Sequence, residues 1–187
     1  KADPTGLTLV IVALFVGCSL WAGHRSWTLG QQWQALPDRS SAQHTQQPPP
    51  DSWAEDYLRA RTHPGNDNAV LRQVLSDKAH GPQEMAWWLN GIQLKLGLLG
   101  KVIGFSVLAL ELGRMDGFDP QQSAQMLKSL TGGLGIALLT TITGLSGNIL
   151  LGLQLMRIDR FADTLVAEIL TRGEAQAIKA PDTEARA

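Results

Sequence analysis

The sequence predicts an all-α integral membrane protein, with three transmembrane helices and short cytoplasmic helices assembled as an oligomeric bundle. Three observations lead there. The apolar residues gather into three blocks, the intervening stretch from Gln31 to Gln83 is rich in Gln, Pro, Asp, Arg and His, and the cations cluster beside only some of the block ends. Bulk composition hides this pattern, because 187 residues with 44% hydrophobic content and a formal charge of -1 would suit one soluble domain. Segregation, not the average, identifies the class.

The first block, Leu7 to Gly23, carries no charge. At 1.5 Å rise per residue it covers about 26 Å of a hydrocarbon core about 30 Å thick. Asp3 and Pro4 suit cap and first-turn positions, and Trp21 and Trp27 suit an interfacial belt. A cleaved signal sequence is the competing reading, with Phe15-Val16-Gly17-Cys18 as a lipoprotein-like site. The only basic residue ahead of the apolar run is Lys1, with Asp3 behind it, and this favours a span.

The second span is expected over Leu89–Leu112, although Gln93, Lys95, Lys101 and Glu111 interrupt it. The third runs over Leu130–Met156, rich in Gly, Thr and Leu, with Arg157 and Arg160 closing it, and is long enough to cross with tilt. Arg25, Arg39, Arg59, Arg61, Arg72 and Lys78 lie between the first two spans, and Arg157, Arg160, Arg172, Lys179 and Arg186 follow the third. By the positive-inside rule both segments are cytoplasmic, so the N-terminus and residues 113–125 face outward.

The resulting organisation is a first transmembrane helix over 1–24, a cytoplasmic linker with short helices over 25–88, a transmembrane hairpin with a cytoplasmic helical extension over 89–172, and a disordered tail over 173–187. Within the linker, Gln46-Gln47-Pro48-Pro49-Pro50 reads as extended chain. Ser52 and Glu55 have capping-box spacing, which starts a helix at Trp53 that Pro64-Gly65 stops. A second short helix is expected over Asn68–Lys78. Asp119-Pro120 caps the helix that becomes the third span and makes the outer connection tight. Ile158, Phe161, Leu165, Val166 and Ile169 then keep helical spacing beyond the membrane.

Several chemistries are excluded. Cys18 is a lone cysteine, no Cys/His cluster has zinc spacing, and His24, His44, His63 and His80 are scattered through polar sequence. No metal or cofactor is expected. The absence of a basic stripe argues against nucleic acid, and no catalytic triad or phosphate-binding loop argues for an enzyme.

The residues that stand out lie in the hairpin. Gly97, Gly100 and Gly104 thin one side of the second span, and Gly100 and Gly104 make a GxxxG pair. Gly144 and Gly147 do the same in the third. Such faces predict close helix packing, here between copies of the chain. Lys101 stands near mid-span, where a charge costs about 2.5–3.5 kcal/mol on insertion scales and must face protein or water. Thr141, Gly144 and Asn148 share a face by their spacing of three and four, with Thr140 beside it. These threonines either bond back to their own helix or line a polar lumen.

Leu96-Gly97-Leu98-Leu99-Gly100-Lys101-Val102-Ile103-Gly104 resembles the second-span pattern of the MotA/TolQ/ExbB proton-channel family, in which LGLLG is followed by Thr, a hydrophobic pair and Gly. Gly135-Ile136-Ala137-Leu138-Leu139-Thr140-Thr141-Ile142-Thr143-Gly144-Leu145 is similar to its last-span pattern, and the likeness covers about residues 90–165. The resemblance implies a bacterial inner-membrane motor or channel subunit. It would form a homopentamer around two copies of a single-span MotB/TolR/ExbD-like partner whose membrane aspartate carries protons or sodium. Two threonines line the passage in that family. Thr141 matches one, whereas Lys101 stands where the other is expected and would neutralise the partner's carboxylate, depress its pKa or close the path. The alternative is a non-conducting scaffold of the same architecture.

Overall fold

The computed structural model describes residues 6–36, 52–63, 65, 67–113 and 120–184, with side chains omitted for 120–126, 129 and 176–184. It contains α1 (Leu7–Gln34), α2 (Trp53–Thr62), α3 (Asn68–Gly113) and α4 (Pro120–Glu184), and no strand among the described residues. Leu7–Gln34, Asn68–Gly113 and Leu130–Ala175 are each long and apolar enough to cross a membrane. Only 17%, 17% and 33% of their most apolar windows are buried, so the apolar side chains point outward, as a lipid solvent requires. Residues 37–51 of the expected linker, residues 114–119 of the expected tight connection and the N-terminal cap residues fall outside the described residues.

The helices are longer than the sequence suggested. α1 continues past Gly23 to Gln34, since no proline intervenes before Pro37 and Leu29 is fully buried. α4 runs to Glu184, so the disordered tail expected from residue 173 is helical over its described part. The short helix at Trp53 is present as α2. The separate helix expected over Asn68–Lys78 is not: it is the first part of α3, which passes through Pro82 without interruption.

The chain divides into two compact units. The first comprises Lys1–Trp21 and Ala86–Leu155; the second comprises Ala22–Met85 and Met156–Ala187. α1, α3 and α4 contribute to both. In the second unit the expected stripe on α4 supplies part of the core: Ile158, Leu165 and Ile169 are buried with Ala162, Leu29, Ala54, Tyr57, Leu75 and Ala79, and Val166 is half-buried. Phe161 is instead at the rim, with its ring 5.6 Å from that of Trp33. Gly173 is where α4 meets α2, for a Cβ there would lie 2.9 Å from Tyr57 Cε1. Of the ion pairs of this unit, Arg72–Glu174, Lys78–Asp56 and Arg59–Glu55 are exposed and contribute little to stability.

The second unit also explains why Pro82 does not break α3. A proline lacks the N–H that would bond the carbonyl four residues earlier, here that of Lys78. Arg25 of α1 supplies the missing donor: its Nη2 donates to Lys78 O at 2.9 Å and to Ala79 O at 3.0 Å. The same guanidinium lies 5.4 Å from the centroid of the Trp53 ring, a cation–π contact that ties α2 to this point. Two further side chains of α3 join it to α4 beside the proline. Gln83, buried and with its amide nitrogen turned toward them, donates to Asp159 Oδ1 at 3.1 Å and Ala79 O at 3.2 Å. His80 bonds Ser76 O through Nδ1 at 3.0 Å and meets Asp163 Oδ1 through Nε2 at 2.9 Å.

α2 starts without the expected capping box. Ser52 makes no side-chain cap, and Glu55 pairs with Arg59 instead. The Trp53 N–H is satisfied by Gln32 Oε1 of α1 at 3.0 Å. At the other end His63 is extended (φ -79, ψ 123), the conformation forced on a residue preceding a proline, here Pro64.

This arrangement makes a quantitative prediction. Arg25→Met should destabilise the protein by about 0.5–1.5 kcal/mol, the usual net worth of a hydrogen bond that water can replace. Most of that loss should vanish in a Pro82→Ala background, where the helix regains its own N–H. Thermal unfolding of the four proteins in mild detergent reads the coupling, and additive effects would refute the role assigned to Arg25.

Candidate functional site

In the first unit α3 and α4 close on each other along a seam of small and amide residues. On α3 the stripe is Asn90, Gln93, Gly97, Gly100 and Gly104, spaced by three and four so that all share a face. On α4 the facing set is Gly133, Ala137, Thr140, Thr141, Gly144, Gly147 and Asn148. The backbones touch. A Cβ built on Gly144 would lie 2.8 Å from Gly97 Cα, and one on Gly104 would lie 2.7 Å from Gly133 O. Thr140 occupies the space that Gly100 leaves open. The glycines that the sequence assigned to contacts between copies are therefore used within one chain, because the hairpin's own two helices need them to approach.

The polar residues of α4 also turn into this seam. Thr140 is fully buried, and its Oγ1 donates to Ile136 O at 2.8 Å. Enclosed in this way it offers no surface to a lumen, and its place in the structure is as a packing residue. Thr141, half-buried, donates to Ala137 O at 2.7 Å and reaches Gly97 O at 3.4 Å on the facing helix. Asn148 Nδ2 donates to Asn90 O at 2.9 Å. Back-bonding of the threonines, one of the two readings open from sequence, accounts for most of their hydrogen bonding.

Lys101 is apart from this set. It follows Gly100 but is exposed, among Leu98, Val102 and Phe105, which are 50%, 61% and 43% exposed. Among the described residues no hydrogen bond or ion pair holds its ammonium group. The structure thus brings Thr140, Thr141, Asn148 and all five glycines together in the seam and leaves Lys101 on the outer surface of α3.

Two further residues belong to the seam. Gln93, in sequence an interruption of the span, and Asn90, which no motif marks, are 1% and 5% exposed. Gln93 Nε2 reaches the carbonyl of Ile11 on α1 at 3.3 Å and packs against Gly147, which makes it the residue that all three helices of this unit share. Their spacing of three, continued by Gly97, Gly100 and Gly104, was the available signal.

The seam gives a test by contrast. Gly144→Ala, which must push the two backbones apart, should cost about 1–3 kcal/mol, the usual range for overpacking. Gly135→Ala, where a Cβ meets nothing within 4 Å, should leave stability unchanged or raise it. Unfolding of each variant in detergent decides the matter, and equal behaviour would show that the helices do not rely on close approach.

No protein-family model matches the chain, and no curated protein or solved structure matches it either.

Proposed function

We propose that the chain is a subunit of an ion-motive-force-driven motor or channel complex in a bacterial inner membrane. It couples proton or sodium flow to mechanical work through a single-span partner that carries a membrane aspartate. The observation that carries this reading is Lys101: a charge on an apolar, membrane-length helix, exposed and unpaired among the described residues. In a low-dielectric surrounding such a charge must gain a counter-charge or water from outside the chain. Glu111 does not serve, being ten residues along the same helix and so about 15 Å away by axial rise. A carboxylate on a neighbouring helix fits, and the likeness of residues 90–165 to the MotA/TolQ/ExbB family places an aspartate there. The homopentamer and the two-copy partner belong to the same proposal.

The runner-up is a non-conducting structural or regulatory subunit of this architecture. The sealed, glycine-packed seam and the lysine in place of threonine favour it. Under that reading Lys101 anchors a fixed ion pair.

Copurification with the candidate aspartate-bearing protein, followed by a stoichiometry measurement and by flux in liposomes, tests both. Lys101→Met should abolish partner-dependent activity while leaving membrane insertion intact. Lys101→Thr should retain or raise flux if the complex conducts and yield none if it is a scaffold. A Lys101→Met protein that binds its partner and conducts like the unmutated one would end the partner-facing assignment.

The orientation proposed from the arginines, N-terminus outside and residues 25–88 and the C-terminus in the cytoplasm, has its own check. In a Cys18-free background, Gly117→Cys should react with an impermeant thiol reagent on intact cells and Ala69→Cys should not. The reverse pattern would invert the topology.

A further inference from the structure

The two amides of the seam have a consequence independent of any partner. Gln93 and Asn90 each bury a side-chain oxygen, Oε1 and Oδ1, that no donor among the described residues reaches. The orientation of Gln93 is fixed, because its nitrogen must face Ile11 O; turning the amide would set oxygen against oxygen. Leaving such acceptors bare in a low-dielectric interior costs about 1–3 kcal/mol each. At 1% and 5% exposure neither residue can be reached by a side chain of another subunit. The donor must be small. A metal cation fits poorly, since two neutral amide oxygens supply no negative charge to offset its desolvation. A neutral molecule with two donors fits well.

We propose that Asn90 Oδ1 and Gln93 Oε1 hold a buried water molecule within the first unit. Residues three apart on a helix are separated by about 4.5 Å along the axis. A water that donates one O–H to each oxygen at about 2.8 Å spans that interval. Both amides lie against glycines of α4: a Cβ on Gly147 would come 2.5 Å from Gln93 Nε2, and one on Gly152 would come 3.4 Å from Asn90 Nδ2. These missing side chains give the amides room. Two more buried oxygens without a partner among the described residues, Ser19 Oγ and Gln154 Oε1, belong to the same unit. On the side of Gly97 its contact with Gly144 closes the seam.

The test uses the full chain reconstituted in lipid bilayers, with side-chain amides labelled for water-edited nuclear magnetic resonance. Magnetisation should pass from water to the Gln93 side-chain amide, and Asn90→Leu should abolish that transfer while the Ile11 contact persists. If Asn90→Leu does not fold, Gln93→Met removes the other acceptor at similar volume and should abolish transfer to the Asn90 amide. A folded, unmutated protein without transfer has a dry seam and overturns the proposal. Transfer to Gln93 that survives Asn90→Leu overturns the shared water. Signals that appear only when sodium is present overturn it in favour of a cation site.

Discussion

Two helix backbones can come into contact only where side chains stop holding them apart, and the first unit is built on that condition. Gly97, Gly100 and Gly104 on α3 face Gly133, Gly144 and Gly147 on α4, and everything else in the unit follows from the closeness this allows. Hydrophobicity does not drive helices together in lipid, where tails are as apolar as leucine, so close van der Waals contact and interhelical hydrogen bonds must do so. The seam supplies both. Thr141 reaches the carbonyl of Gly97, Asn148 that of Asn90, and Gln93 that of Ile11. Each bond crosses from one helix to another, and each is possible only because a glycine nearby yields space.

The seam also separates two roles that the sequence had merged. Polar residues in the hairpin invited one functional reading, yet Thr140 and Lys101 answer to opposite constraints. Thr140 is enclosed and its hydroxyl is satisfied by its own helix, whereas Lys101 stands outside with no internal partner. Any role in ion movement therefore rests on the outer surface of α3, and the inner surface is architecture. A complex formed through Lys101 would leave the hairpin's own packing untouched.

What could be read from sequence follows the range of the interaction involved. Apolar runs and the stop of α2 before Pro64-Gly65 depend on neighbours in the chain, and both were legible. So was the stripe of Ile158, Leu165 and Ile169. Pro82 was not, because the residue that rescues it, Arg25, acts from 53 positions before Lys78. Ser52 and Glu55 have the spacing of a cap but do not form one, since Gln32 of another helix reaches the Trp53 N–H first. Gln93 was misjudged for a similar reason. A polar residue within a span counts against that span in a hydropathy sum, while in three dimensions it joins three helices.

The bond between Arg25 and the carbonyls of Lys78 and Ala79 has a bearing on biosynthesis. The ribosome makes α1 first, so the guanidinium already exists when the segment around Pro82 is translated. Until α1 is alongside, the Lys78 carbonyl has neither a proline N–H nor the guanidinium to bond, and water must serve it. Docking of α1 would then exchange that water for a fixed donor and stiffen α3 at Pro82. A chain translated without its first helix would retain the hydrated carbonyl, however well its remaining helices inserted.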